Sequence, residues 1–329
     1  MNPLPLTPLP SRGISPGKAI LFGEHAVVYG EPAVVLSLDI YTTVEVHEAT
    51  GGTDHRFQGD SGAWRRNPYL QEILGKGSSP PAGHLDVRVR SQIPPASGLG
   101  SSAALVAPLT AILRAREGPV DRGTLARESF LAERAAQGVG SPVDTTAVTA
   151  GGIVAVGPPG REGEELWTIP AVEGRGPWTV RRVPDPGWTW VVGYTGVPKQ
   201  TGRTVNRVRQ RLQETDGPEL LAAFGSLART GEDALRRGDR DAVGQCMERN
   251  HALLVRLGVG HPRLDQLVRA VRPHVAGVKI TGAGSGGSIL ALPRPGSELA
   301  AARAIARAGG LAFRVRPPPQ GVRVEPLPR

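Results

Sequence analysis

The sequence predicts an α+β protein of two domains, and three observations carry that reading. Strand-like and helix-like segments do not follow a regular βαβ alternation, which argues against a doubly wound parallel sheet. A turn, Pro184-Asp185-Pro186-Gly187, separates a strand-rich part, residues 1–186, from a part, 187–329, in which helices dominate. Three glycine-rich segments, 16–25, 94–103 and 279–288, sit where strands end, as expected where backbone must approach a ligand closely.

The elements follow in order. Proline-rich residues 1–13 read as a loose tail, and the apolar run 19–22 after Lys18 reads as a short strand. The β-branched stretch 33–47 (AVVLSLDIYTTVEVH) reads as one or two strands, and 50–62 and 75–84 as loops. Residues 85–91 (LDVRVRS) alternate apolar and polar, a half-buried strand that ends at the second glycine-rich segment. Leu105, Leu109, Ile112 and Leu113 recur at helical spacing. A further helix is expected over 123–137, stopped by Gly138, and buried strands over 147–156 and 188–193. Past the boundary, 202–214, 217–237, 239–257 and 262–273 read as helices. Strands at 277–281 and 288–292 flank the last glycine-rich loop, and a helix over 298–308 and a strand over 311–316 complete the pattern.

The middle glycine-rich segment has the most specific chemistry. In Ser97-Gly98-Leu99-Gly100-Ser101-Ser102, the glycines permit a tight turn straight into an apolar helix. Such a helix start offers free N–H groups and positive dipole to an anion, and the serine hydroxyls can reach a phosphate oxygen or a metal ion. It is not a Walker loop, because the Gly-Lys-Ser/Thr ending is absent, and it lacks the dinucleotide fingerprint. Asp144, in Gly138-Val139-Gly140-Ser141-Pro142-Val143-Asp144, falls on an expected turn between a helix and a strand, either stabilising that turn or reacting. Glu133 ends the preceding helix, so both acids can meet at one point, one holding Mg²⁺ with a serine hydroxyl, the other taking a hydroxyl proton. Beside Asp144, Lys18 would keep the carboxylate ionised and neutralise a transferring phosphoryl group. Glu24 and His25 follow the first strand towards a cleft.

Composition narrows the partners. The net charge is +9, but the basic residues are scattered and aromatics are only 4%, which fits an enzyme handling an anionic substrate better than a nucleic-acid binder. No apolar run is long enough to span a bilayer and no signal pattern opens the chain, so a cytoplasmic protein without membrane contact is expected. The single cysteine, Cys246, excludes an internal disulfide and a cysteine-based metal cluster. Among 39 basic residues only four are lysines, Lys18, Lys76, Lys199 and Lys279. Two of these lie in glycine-rich segments and Lys199 in another loop-like stretch, which marks them as places that need a compact point charge.

These three segments, in this order, resemble the GHMP kinases. Lys18-Ala19-Ile20-Leu21-Phe22-Gly23-Glu24-His25 and the residues following it to Ala33 are similar to the opening motif of the mevalonate kinase branch. Lys279-Ile280-Thr281-Gly282-Ala283-Gly284-Ser285-Gly286-Gly287 is similar to its closing motif. The resemblance implies a ribosomal-protein-like β-α N-terminal domain and a ferredoxin-like C-terminal domain with the site between them. It implies transfer of the γ-phosphoryl group of ATP to the primary hydroxyl of mevalonate, a step of isoprenoid biosynthesis. By match to the family motifs, Asp144 is the catalytic aspartate, Lys18 its partner, and Ser102 and Glu133 the Mg²⁺ ligands. Pro95, Ala96, Ser97, Gly98, Leu99, Gly100, Ser101 and Ser102 match the triphosphate loop, and Glu24, His25, Thr201, Gly282 and Ala283 the substrate side. Homodimers are common among such relatives. Ser141-Pro142-Val143-Asp144-Thr145 departs from the Pro-Ser-Gly-x-Asp-Asn of eukaryotic members towards the archaeal form, and Ser288 replaces a frequent cysteine. Sibling kinases acting on phosphomevalonate, a sugar or homoserine, a non-catalytic ATP-binding regulator, and a nucleic-acid module are the competing readings.

Overall fold

A computed structural model describes residues 1–49, 54–75, 83–138, 140–199 and 201–327, with the side chains of Thr201 and Arg203 outside the description. Strand β1 (Ser11–Phe22) runs antiparallel to β2 (Ala33–Glu48) along almost its whole length, with Lys18 opposite Ser37 and Ile20 opposite Val35. The other edge of β2 is shared. Its first residues pair with β6 (Ile153–Gly157) and its last with β5 (Leu85–Ser91). Two short strands, β3 (Arg56–Phe57) and β4 (Asp60–Ser61), extend the sheet beyond β5, and β8 (Trp178–Val183) and β7 (Glu165–Ile169) extend it beyond β6. Between β4 and β5 lie α1 (Pro68–Leu70), capped by the Asn67 side chain, and a π-helical turn, Gln71–Gly75.

Three helices cover this sheet: α2 (Ser101–Ala115), α3 (Arg122–Gln137) and α4 (Val143–Ala150). Helix α2 is apolar nearly all round and packs on β1, β2, α3 and α4. A helix of that kind is stable only when enclosed, so the helix that leaves the glycine-rich loop is held firmly in the fold. Helix α3 starts at Asp121, whose carboxylate accepts from Thr124 N, and stops at Gly138.

A second sheet is built from β9 (Trp190–Tyr194), β10 (Val275–Thr281), β11 (Ser288–Pro293) and β12 (Leu311–Val315), in the order β10-β11-β9-β12. Numbered within the sheet, that order is 2-3-1-4, the ferredoxin-like arrangement. After β9 come α5 (Thr201–Arg211), α6 (Gly217–Arg236), α7 (Arg240–Arg256) and α8 (Pro262–Val271), and α9 (Glu298–Arg307) joins β11 to β12. The chain then returns to the first sheet, where β13 (Arg323–Pro326) pairs with the start of β1.

Several expectations are corrected. Residues 1–13 are not a loose tail: Leu4 is buried and bridged to Val120, and β1 already begins at Ser11. Proline is tolerated at strand starts and sheet edges, so its density there was a poor sign of disorder. The strand expected over 147–156 is α4 followed by β6, and Asp144 therefore sits in the first turn of a helix. The β-branched Thr145, Thr146, Val148 and Thr149 favour strand locally. Enclosure of the whole segment against α2, α3 and β1 overrides that preference. Strands β7, β8 and β13 and the small β3–β4 hairpin were not read from the sequence.

Candidate active site

The two sheets meet at the glycine-rich segments. Thr281 Oγ1, at the end of β10, donates to Ile20 O of β1 at 3.0 Å, and Ser288 Oγ, at the start of β11, donates to Ser97 O at 2.9 Å. The backbone N–H of Lys199 donates to Ala96 O at 2.9 Å, and that of Lys18 to Leu99 O at 3.0 Å. The loop before α2 is thus held from three sides. Its last residue, Gly100, adopts a left-handed conformation (φ 79°) and caps α2 with no side chain among the described residues on the helix's first N–H groups. Those donors stay free for an anion.

Gly100 also makes room for the lysine. A Cβ there would stand 2.7 Å from Lys18 Cγ, so the lysine stem fills the space that glycine leaves. Lys18 is 1% exposed, and its Nζ lies 2.9 Å from Asp144 Oδ1, whose side chain is 27% exposed. The cation is walled in while the carboxylate still faces the cleft.

Helix α3 lines the cleft with Phe130, Glu133, Arg134 and Gln137, a spacing that puts all four on one face. Burial pushes the Glu133 carboxyl up to about 7, the charge of Asp144 adds to the rise, and the Ser102 hydroxyl, Lys18 and Lys199 oppose it. Gln137 Nε2 bridges Glu133 Oε1 (3.4 Å) and Tyr69 OH (3.0 Å).

The cleft has two chambers. One is lined by Ser97, Gly98, Gly100, Ser101 and Ser102 of the loop with Pro95, Ala96, Asn67 and Tyr69, while Leu99 turns into the core instead. The other has an apolar wall of Ile20, Val27, Val28 and Phe130, with His25, Gly282 and Ala283 beside it. Ser102, Gln137, Asp144 and Lys199 belong to both. A group bound in the first chamber can therefore be passed to one in the second only beside these residues. Lys199, one of the four lysines, reaches the cleft only through the fold. Burial lowers its pKa, the charge of Lys18 adds to this, and Asp144 and Glu133 oppose it.

The substrate-side expectations divide. His25 lines the second chamber in a left-handed conformation (φ 61°), and its Nε2 is 3.1 Å from Ala283 O. Burial lowers its pKa to about 4, so the ring is neutral at pH 7, and the carbonyl requires that Nε2 carry the hydrogen and donate. Glu24 also borders the chamber, but its carboxylate is already engaged: Lys279 Nζ pairs with Oε1, and Asn250 Nδ2 donates to Oε2 at 3.1 Å. Lys279 completes its donor set on Ile20 O and Ile280 O. Thr201 opens α5, and its side chain lies outside the described residues.

The donor set fits one kind of metal. Ser102, at the chamber junction, and Glu133, in the second chamber, offer hard oxygen ligands, and no group of three or more His, Cys, Asp or Glu residues among the described ones forms a cage. That suits a cation which keeps its own waters and shares phosphate oxygens, as Mg²⁺ does, and not a zinc-type site.

Two family models match the chain: the GHMP kinases N terminal domain over residues 64–152 and GHMP kinases C terminal over residues 232–311. A mevalonate kinase of Pyrococcus horikoshii is 33% identical over 350 residues, covering 96% of this chain and 98% of the relative. A mevalonate kinase of Methanothermobacter thermautotrophicus is 32% identical over 301 residues, covering 85% and 89%. Among solved structures, L. major mevalonate kinase in complex with R-mevalonate superposes with a TM-score of 0.75 at 24% identity, over 96% of this chain and 99% of that one.

Proposed function

The chain belongs to the GHMP kinase family, and from that premise we propose that it is a mevalonate kinase. It transfers the γ-phosphoryl group of ATP to the primary hydroxyl of mevalonate and releases ADP and 5-phosphomevalonate. The near-full-length identity to archaeal mevalonate kinases supports the acceptor. The observation that carries the reaction class is the Lys18–Asp144 pair at 2.9 Å, with Asp144 and Lys199 on the boundary of two chambers, one of them built around a bare helix N-terminus.

Each residue's task follows from phosphoryl-transfer physics. The 97–102 backbone and the start of α2 hold the triphosphate, with no side chain in the way. Asp144 accepts the acceptor's hydroxyl proton as the new O–P bond forms and the bond to the ADP oxygen breaks. Lys18 keeps Asp144 ionised, and together with Lys199 it sets positive charge against the transferring group. Bound Mg²⁺, held by Ser102 and Glu133, would neutralise phosphate charge there. His25 and Ala283 wall the acceptor chamber. Glu24 acts through Lys279, fixing the strand end that carries His25. We place the domain boundary between 186 and 187; β8 ending at Val183 and β9 starting at Trp190 support it, while β13 returns from the far side of that boundary to the first sheet.

An ADP-release assay with ATP and Mg²⁺, offering mevalonate, 5-phosphomevalonate, homoserine and galactose separately, tests the proposal. Turnover with mevalonate alone is expected. Turnover with another acceptor and not mevalonate moves the protein to a sibling activity, and silence with all four removes the kinase reading.

A further inference from the structure

The proposed reaction leaves unused two arginines on the acceptor side. Arg134 lines the acceptor chamber from α3, and its side chain is 8% exposed. Its Nη2 is paired with Glu173, while its Nη1 is buried with no hydrogen-bond partner. Arg175 lines the outward continuation of the same chamber, together with His25, Val28 and Gly140. The Nη1 of Arg175 is also buried without a partner. One turn links the two. Val172 and Arg175 exchange backbone hydrogen bonds of 2.9 and 3.1 Å, and Glu173, within that turn, is the residue paired with Arg134.

A guanidinium nitrogen cut off from water without an acceptor is costly, and folded proteins rarely tolerate it. Here it happens twice along one continuous cleft. Glu173 does not relieve it, because its side chain is 76% exposed and reaches only the outer nitrogen of Arg134. The chamber's own acceptors, Glu133, Gln137, Ser141 and Asp144, give neither nitrogen a hydrogen bond, and the wall of Ile20, Val27, Val28 and Phe130 has no polar side chain.

We infer that Arg134 and Arg175 form an anion subsite for the acceptor, which takes the carboxylate of a short branched hydroxy acid while its hydroxyl meets Asp144. This rests on the mevalonate kinase reading and adds the residues that select an acidic acceptor over a neutral one. Guanidinium groups suit a carboxylate in a dry setting because they are planar, weakly hydrated and always charged. The turn at 172–175 is then a specificity element, since it carries one arginine and steadies the other.

The test is steady-state kinetics of the full chain at saturating ATP, with mevalonate and with 3-methylpentane-1,3,5-triol, which keeps the primary hydroxyl and lacks the carboxylate. Arg134→Gln and Arg175→Gln are each expected to raise KM for mevalonate by about 10- to 100-fold, the worth of a charged hydrogen bond. They should change kcat by less than about threefold and leave KM for the triol and for ATP unchanged. Arg134→Lys, which keeps the charge, should raise KM for mevalonate less than Arg134→Gln. If Arg134→Gln does not fold, Arg175→Gln, at a less enclosed position, decides by the same criteria. A KM for mevalonate within twofold of wild type, or equal rises for both acceptors, overturns the subsite. Wild-type protein that uses neither acceptor fails the kinase reading itself, and the subsite falls with it. Wild-type protein that uses both with the same KM fails the subsite alone.

Discussion

Among the described residues two lysine–carboxylate pairs have a partner in the 16–25 segment, Lys18–Asp144 and Lys279–Glu24, and they behave in opposite ways. Lys18 and Asp144 meet in the cleft, with the carboxylate 27% exposed and reachable by a ligand. Lys279 and Glu24 meet behind it, at 0% and 1% exposure, with Asn250 and two backbone carbonyls using up the remaining valences. The residue types are the same and both pairs draw a partner from the 16–25 segment. What differs is satisfaction. A sealed, fully bonded pair can only hold structure, whereas a half-open pair with spare lone pairs can exchange a proton.

Removing the carboxylate from the open pair should have the largest effect. Asp144→Asn keeps the shape but cannot take a proton, so kcat should fall by about 10²- to 10⁴-fold, while ATP binding stays near wild type. Lys18→Met should lower kcat by about 10²- to 10³-fold, the scale of losing one charge-stabilising group. Single-turnover rates alongside ATP titrations check both. Wild-type kcat in either variant would remove that residue from the reaction.

The sealed pair should show the converse, a loss of stability ahead of any specific loss of rate. Lys279→Met strands the Glu24 carboxylate in the interior, and breaking a buried pair typically costs about 3–5 kcal/mol. Adding Glu24→Gln should recover part of that loss, because the stranded charge is then gone. Denaturant midpoints of the two singles and the double make the measurement. Additive destabilisation in the double variant would mean the two groups do not act as a pair.

What the sequence disclosed follows the same division. The open site was legible because its signals are local: Ser97–Ser102 announces a bare helix start, and Lys18, Asp144 and Glu133 lie next to breaks in pattern. Asp144 lies in the first turn of α4, so a helix N-terminus, favourable to a negative charge, supports it where only a turn was expected. The strand reading of 147–150 failed because burial outweighed the β-branched preference. Lys199, Arg134 and Arg175 reach the cleft from three separate segments, and no spacing along the chain encodes that convergence. The engagement of Glu24 was hidden for the same reason, since Lys279 and Asn250 lie 255 and 226 residues away.

Gly100→Ala should have a smaller effect that is specific to the open pair. The added methyl meets the Lys18 stem at 2.7 Å, and the left-handed backbone disfavours any side chain. A stability loss of about 1–2 kcal/mol is expected from the backbone alone. If the glycine also holds Lys18 in register with Asp144, kcat should fall by more than that stability loss explains, and an unchanged kcat would mean the lysine relaxes freely.

The smallest predicted effect lies beside the sealed pair. His251, on α7, has a buried Nδ1 without a partner. Its pKa is lowered to about 4, by burial first and then by the charges of Lys279 and Arg272, with Asp265 opposing. The sign follows from proton counting. Unfolded, the ring takes its proton near pH 6.5; folded, it does not until about pH 4. Between those values the unfolded chain binds one more proton at this position, so stability is lost as pH falls from 6.5 towards 4. The raised carboxyl of Glu133 works in the other direction over part of that window and is common to both proteins compared. The difference between wild type and His251→Gln therefore isolates the histidine. Urea midpoints measured from pH 7 to pH 4.5 should fall more steeply for wild type than for His251→Gln. Parallel curves would mean that His251 protonates as readily folded as unfolded.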